Sequence, residues 1–171
     1  MHKCVAKKLC DMNGLDENMN AYIISQAASF IILVVAWTRT RWGRWLFALL
    51  FFWASGTNMY LGITNPSIYL QYADMAIPLY RDFINGWFSH YNHILIPIIA
   101  IGQFLIATGM LLRAVWVKLA CFGSIVFLLS IAPLLVGAAF PFSITVSIAA
   151  YYIYLNDDRN YVWKRQAQHA F

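Results

Sequence analysis

The chain has 171 residues, of which 61% are hydrophobic and only 11% are charged, whereas soluble domains carry about 25% charged residues. With a mean hydropathy of +0.61, this composition excludes an ordinary soluble enzyme, and the length allows one membrane domain without a separate soluble catalytic domain. The net charge of +5 comes from short basic clusters between apolar runs, so a nucleic-acid partner is not expected.

Five apolar stretches follow one another along the chain, at residues 21–37, 45–64, 94–112, 116–136 and 138–155. Each is close to the roughly 20 residues with which a helix crosses about 30 Å of hydrocarbon. Because a backbone in lipid must satisfy its own hydrogen bonds, we expect helices. The sequence therefore predicts an all-α, polytopic transmembrane helix bundle over residues 21–155, between a polar leader at 1–20 and a tail at 156–171.

The first stretch, at 21–37, is short for a span, and two alternatives stay open. It can lie at the interface or re-enter the membrane, or the native chain can start at Met12 or Met19, which would remove the lysines of the leader. The run after Met19 has no small-residue cleavage site, so it is not interpreted as a cleaved signal peptide.

The distribution of basic residues predicts the orientation of the bundle, since lysine and arginine are enriched in cytoplasmic loops. Eight of them lie in two turns and in the tail: Arg39, Arg41, Arg44, Arg113, Lys118, Arg159, Lys164 and Arg165. The connection at 65–92 has only Arg81, and the turn at 133–141 has no charge, so both are placed outside. We therefore expect a bacterial inner-membrane protein with a cytoplasmic C-terminus and, for five spans, an external N-terminus.

The connection at 65–92 is too long for a simple turn, and we expect an outer interfacial segment there. Asn65 followed by Pro66 is typical of a helix start, with proline at the first helical position. Tyr80, Ile84 and Trp87 follow helical spacing beside polar residues. The pattern indicates an amphipathic helix on the outer membrane surface, with its aromatic side chains at headgroup depth.

Polar residues interrupt two of the apolar stretches near the membrane midplane. Ser55, Thr57 and Asn58 lie in the second stretch, and Gln103 lies at a similar depth in the third. An amide that faces lipid would lack partners, so Asn58 and Gln103 should point inward, towards each other. Two interpretations stay open: interhelical hydrogen bonds of about 1 kcal/mol, or a polar ligand-binding pocket, lined also by Ser55 and Thr57, for a small molecule such as a quinone.

His90 and His93 are three residues apart and would share one face of a helix at the outer interface. Two imidazoles at this spacing can share a metal ion, but a complete site needs further ligands, for which Asp74 and Asp82 are the nearest carboxylates. Two interfacial histidines without a metal are the favoured interpretation. A metal cofactor is therefore not expected.

Small residues indicate where helices approach each other closely. Gly102 and Gly109 are seven residues apart on one face of the third span, and Ser143 and Ser147 are four apart in the fifth. Such spacings are typical of helix–helix contacts in membranes.

The three cysteines are too few and too scattered for a disulfide framework. Cys121 lies inside an apolar run, whereas Cys4 and Cys10 lie in the leader. Whether Cys4 and Cys10 pair stays open, since a bridge requires an exported N-terminus.

The stretch from Arg44 to Tyr154 resembles the DoxX-like family of small four-helix membrane proteins. The matching segments are RWGRWLFALLFFWASGTN, where an arginine precedes the first family helix and a small-residue cluster follows, and IGQFLIATGMLLRAVWVK, where a polar residue precedes a glycine and an apolar ending. Gln103 takes the place of a frequent acidic residue, and Asn58 lies where a lysine often follows the glycine. The resemblance implies a four-helix core plus one extra N-terminal helix before Arg39.

The resemblance also implies a role beside redox enzymes, since some family members are similar to quinone-linked partners of sulfur-oxidising or thiol-stress enzymes. We therefore expect an accessory or anchoring subunit of a membrane redox system, in contact with the lipid bilayer and with a membrane or peripheral oxidoreductase. A quinone is the expected cofactor class, and a homo-oligomer is compatible with this role. The alternative is a noncatalytic membrane scaffold or assembly factor.

Catalytic activity of the chain on its own is not expected, because the sequence lacks the common nucleophile, phosphate-binding and zinc-protease motifs. A small-molecule permeation protein ranks last among the functions considered. No ionisable side chain occupies the middle of a predicted span, whereas proton and ion pathways usually depend on such groups.

Overall fold

The computed structural model describes residues 22–134, 140–158 and 160–163. Within these residues the chain is helical and contains no strand, which confirms the predicted all-α class. The α-helices are α1 (Tyr22–Thr38), α2 (Thr40–Thr64), α3 (Pro78–Phe83), α4 (Ser89–Leu111), α5 (Val115–Ile131) and α6 (Phe142–Asn156). A 3-10 helix, Pro66–Asp74, follows α2. The question of a bridge between Cys4 and Cys10 falls outside the described residues.

Three stretches of the described chain are helical, long and apolar enough to cross a membrane: Thr40–Thr64, Pro78–Leu111 and Val115–Leu134. They support a transmembrane protein, because a spanning helix needs about 20 predominantly apolar residues. The helices α1 and α6 are apolar but shorter. The count of five spans therefore stays a prediction.

Helix α2 packs along α4, and α5 packs against both α4 and α6. The buried residues of α2 recur mostly every third or fourth position, as expected for a helix with one inward face. Phe47 and Phe51 lie one turn apart on this face, with ring centroids 6.3 Å from each other. Helix α1 approaches α2 at Gly43, where an added β-carbon would lie 2.7 Å from the Cα of Ala36.

The α2–α4 connection, residues 65–88, differs from the surface helix predicted for it. Pro66 does begin a helix, but this is the 3-10 helix, and Pro78 begins α3 as a separate element. From Pro78 the helical path continues into α4 through a wider turn, in which Gly86 leaves the helical region with φ −89° and ψ −107°. The third apolar helix thus begins before residue 94, because residues 89–93 contain no helix breaker.

The same connection folds back onto the bundle. The hydroxyl of Tyr80 donates a hydrogen bond to the carbonyl of Ser130, at 2.9 Å, near the end of α5. A small buried cluster holds the connection together: Ala73, Ala76 and Ile84. This connection therefore covers one end of the space between the helices.

Arg44 is buried, whereas the positive-inside pattern of the sequence predicts it in a cytoplasmic turn. Its Nη1 donates to Asp157 Oδ1 at 2.8 Å and to the carbonyl of Asn160 at 2.9 Å. Its Nε donates to the carbonyl of Met110 at 2.9 Å, and its Nη2 donates to the carbonyl of Leu112. This group, the Arg44 clamp, joins the start of α2 to the ends of α4 and α6.

The predicted small-residue contacts are only partly present. An added β-carbon at Gly109 would lie 2.8 Å from the Cβ of Ala120, so α4 and α5 are in close contact there. At Gly102 it would meet nothing within 4 Å, so the prediction of a packing face is wrong for this glycine. Gly109 lies beside the α4–α5 turn, where the two helices must meet, and Gly102 lies about two helical turns away. Ser143 and Ser147 are both buried in α6.

Candidate functional site

Three polar side chains form a hydrogen-bonded chain between α2, α4 and the 3-10 helix. Asn58 donates through Nδ2 to Gln103 Oε1 at 2.7 Å, which confirms the predicted contact between these amides. The hydroxyl of Tyr69 donates to Asn58 Oδ1 at 2.6 Å. These two bonds hold the Asn58 amide in one orientation, because its oxygen and its nitrogen each have a specific partner. Asn58, Gln103 and Tyr69 form the amide network.

Short side chains bring α2 and α4 close enough for the network to form. Gly62 lies one turn after Asn58, and an added β-carbon there would lie 2.9 Å from Cγ2 of Ile96. Ser55 lies nearly one turn before Asn58, and its hydroxyl donates to the carbonyl of Ala100 at 2.7 Å. Small residues permit such a close helix–helix approach in membranes. They set the spacing at which amides from two helices can meet.

The amide network lies on the wall of a largely apolar cavity of about 980 Å³. Small-molecule pockets usually have volumes of about 300–1,000 Å³. Side chains from α1, α2, α4, α5, the start of α6 and the α2–α4 connection line this cavity, and most of them are aliphatic or aromatic. The aromatic ones include Phe51, Trp53, Phe83, Trp87 and Phe88. The cavity can therefore hold an apolar ligand of ordinary small-molecule size.

Only two of the four predicted ligand-binding residues line this cavity. Asn58 and Gln103 do so, together with Tyr69, whereas Ser55 and Thr57 lie outside the lining. The hydroxyl of Ser55 is used in the contact with α4. The side chain of Thr57 is only half-buried, and it follows a different face of α2 from Asn58. The ligand-binding hypothesis therefore narrows to Asn58 and Gln103, with Tyr69 added.

Gln103 is 3% exposed and has a hydrogen-bond donor to spare at the cavity wall. Its Oε1 accepts from Asn58, but its amide nitrogen has no acceptor among the described residues. A side-chain amide nitrogen carries two N–H donors. Among the described residues, the buried side-chain polar atom without a partner is the Ser143 hydroxyl, so the amide nitrogen of Gln103 reaches accessible space and can donate to a ligand oxygen in the cavity.

Tyr69 keeps its proton at neutral pH and can serve only as a neutral member of the network. Burial raises the pKa of its hydroxyl above the ordinary value of 10.0, and the neighbouring Tyr72 raises this pKa further. Burial also raises the pKa of Tyr72. The side chains that line the cavity in the described part of the chain include no carboxylate, imidazole or amine. The described lining is therefore suited to binding a neutral, largely apolar molecule.

The candidate metal ligands His90 and His93 both lie in the first turns of α4, where they are exposed. The Nδ1 atom of His90 lies 2.9 Å from the carbonyl oxygen of Gly86. Within the described ranges, no group of three or more His, Cys, Asp or Glu side chains could hold a metal ion. A complete metal site would need further ligands beside the two imidazoles, and the part of the chain that the structure describes brings none to them.

Sequence reasoning missed Tyr69. It lies eleven positions after Asn58 in the chain, in the connection for which the sequence predicts a helix on the membrane surface. The sequence contains ten tyrosines, and no local pattern separates this one from the others. Pro66 after α2 indicates that a new helix begins there. It does not indicate which side chain of that helix contacts Asn58.

Comparison with known proteins adds no relative: no family model, no curated protein and no solved structure matches the chain.

Proposed function

We propose that this chain is a DoxX-like integral membrane protein that serves as an accessory or anchoring subunit of a membrane redox system and binds a quinone-type molecule in its cavity. A single observation carries the proposal: an apolar cavity of about 980 Å³ that has aromatic walls and the spare amide donor of Gln103. A quinone has the matching chemistry, a flat apolar ring that bears carbonyl oxygens.

The residues of the site fit a neutral ring with acceptor oxygens. Gln103 Nε2 would donate to one ring carbonyl, while the bond from Asn58 to Gln103 Oε1 holds the glutamine in place. Aromatic side chains of the cavity wall, such as Trp53 and Trp87, offer faces and edges against which a flat ring can pack. A bound quinone would supply the electron-transfer chemistry, and this chain would position the ring and exclude water.

The arrangement of helices is consistent with the proposal. In the proposed DoxX-like architecture, the four-helix core of the family corresponds to α2, α4, α5 and α6. Helix α1 is then the extra N-terminal helix. The protein is placed in the bacterial inner membrane with five spans and a cytoplasmic C-terminus, because the basic turns would then lie inside. The partner in this proposal is a membrane or peripheral oxidoreductase, which would exchange electrons with the bound ring.

The test is quinone binding by the purified protein and by two matched variants. The protein is purified in mild detergent, its lipid-soluble contents are identified by mass spectrometry, and binding of added ubiquinone is titrated. Gln103→Leu should weaken binding about tenfold, since one hydrogen bond of about 1.4 kcal/mol corresponds to that factor. Asn92→Leu is the control, because Asn92 is also a buried amide of α4 but does not line the cavity. The absence of both quinone binding and a co-purifying oxidoreductase would overturn the proposal.

A noncatalytic scaffold or assembly factor is the second candidate, and one observation favours it. Asn58 and Gln103 are hydrogen-bonded to each other and so could serve helix packing alone. Such bonds between membrane helices contribute about 0.6–1.7 kcal/mol. In this case Gln103→Leu and Asn92→Leu would both lower thermal stability slightly, and neither variant nor the native protein would bind quinone.

A further inference from the structure

A second groove lies between α5 and α6, near the end of the bundle that holds the Arg44 clamp. Its volume is about 320 Å³, and its lining is apolar and aromatic except for one lysine. The lining residues that matter here are Lys118, Leu119, Phe122, Tyr151 and Tyr154. Leu119, Phe122 and Tyr151 are all more than half exposed, so the groove is open to the outside of the bundle.

The groove has a polar mouth and an apolar body. Lys118 lies in the first turn of the stretch Val115–Leu134, which is long and apolar enough to span a membrane. Its side chain is half-buried, and its Nζ lies 5.3 Å from the centroid of the Tyr154 ring. Lysines near the end of a span place the alkyl stem along apolar surface and the ammonium at headgroup depth. Phe122 lies one turn deeper and would face acyl chains.

The mouth of the groove carries positive charge. Among the described residues, Lys118 forms no ion pair with a carboxylate. The acidic side chains nearest in sequence to Tyr154 are directed to Arg44, whose Nη1 lies 2.8 Å from Asp157 Oδ1 and 3.6 Å from Asp158 Oδ1. The ammonium of Lys118 is therefore available to an anion from the surrounding medium.

We propose that this groove binds an anionic phospholipid, with the phosphate at Lys118 and one acyl chain along Leu119 and Phe122. Acyl chains would occupy the apolar body of the groove, because lipid surrounds a membrane-spanning helix and the groove is open to the outside of the bundle. Charge complementarity determines the headgroup, since a basic group between helices at the membrane surface favours anionic lipids. The proposal does not depend on quinone binding in the larger cavity.

The experiment compares binding of spin-labelled phosphatidylglycerol and phosphatidylcholine to the full-length protein in detergent micelles. The native protein should prefer phosphatidylglycerol, and Lys118→Gln should reduce that preference about fivefold, the factor expected for about 1 kcal/mol per basic residue at a membrane surface. Arg39→Gln is the matched control, because Arg39 is an exposed cation near the same end of the bundle and lies outside the groove. Equal losses in the two variants would mean diffuse surface attraction and would overturn the proposal.

A second variant tests the acyl-chain part without changing the charge. Leu119→Trp should fill the groove and weaken binding of both lipids, and it should be tolerated because Leu119 is 55% exposed. Unchanged lipid binding in this variant would overturn the assignment of the groove.

Competition by inorganic phosphate distinguishes a lipid headgroup from a free anion as the ligand of Lys118. Full displacement of phosphatidylglycerol by millimolar phosphate would mean a free-anion site and would also overturn the proposal, whereas no displacement supports it.

Discussion

The charged side chain of Arg44 is only 1% exposed. Burial of a charge is costly unless the charge is paired and its remaining hydrogen-bonding groups are satisfied. The Arg44 clamp meets both conditions, with the Asp157 carboxylate as counterion and backbone carbonyls as further acceptors. Removal of one partner should therefore matter much more than loss of a surface ion pair.

Asp157→Asn should lower the free energy of unfolding by about 3 kcal/mol, because it leaves the Arg44 cation buried without its closest counterion. Asp158→Asn is the matched control. The Asp158 carboxylate lies 3.6 Å from Arg44 Nη1 but is 30% exposed, so its loss should cost less than about 1 kcal/mol. Both variants are unfolded by denaturant in the same detergent and followed by tryptophan fluorescence. Equal destabilisation of the two would contradict the assignment of Asp157 as the principal counterion.

At the scale of the helix, a glycine permits the close approach of α4 and α5 at one end of their interface. Gly109 lies in close contact with α5, beside the turn that joins the two helices. Ala114 in this turn has a positive φ of 52°, so the chain reverses through a conformation that is unfavourable for a residue with a side chain. The turn and Gly109 together hold the two helices close at this end.

Gly109→Ala should lower the thermal unfolding temperature, and Gly102→Ala should leave it unchanged or raise it. Alanine favours a helix over glycine by about 1 kcal/mol at either position. At Gly109 the new β-carbon would lie 2.8 Å from the Cβ of Ala120. This overpacking would push α5 away, and its cost outweighs the gain in helix propensity. At Gly102 the new methyl group meets nothing within 4 Å. A stabilised Gly109→Ala variant would contradict the close contact.

At the scale of the whole molecule, the Arg44 clamp joins helix ends that lie far apart in the sequence. It brings the start of α2, the end of α4 and the segment after α6 to one end of the bundle. The α2–α4 connection lies at the other end, where Tyr80 bonds to the carbonyl of Ser130. In the proposed orientation the end with the basic turns is cytoplasmic and the end with this connection is external.

Cysteine labelling tests this orientation. In a background without the native cysteines, Asp82→Cys and Arg113→Cys place exposed thiols on the α2–α4 connection and on the α4–α5 turn. A membrane-impermeant maleimide should label the cysteine at position 82 in intact cells and the one at position 113 only after the cells are permeabilised. Labelling of position 113 in intact cells would contradict the proposed orientation.

Much of the fold could be predicted because it follows from composition and spacing along the chain. Apolar runs of about 20 residues can only be accommodated as helices in lipid, and amides within them must turn inward, as Asn58 and Gln103 do. The cavity and the place of Tyr69 could not be predicted in this way. They depend on the path of the α2–α4 connection, and that path is set by side-chain contacts between distant parts of the chain.

The sequence by itself determined the helical class, the membrane character and the inward direction of two amides, because each of these depends on local composition and on the cost of unpaired polar groups in lipid. Only the tertiary structure decided that Arg44 is a buried clamp, that Gly109 but not Gly102 is a contact, and that Tyr69 completes the network. The reason is physical: such roles depend on which helices meet and how closely, and residues far apart in sequence set those distances together.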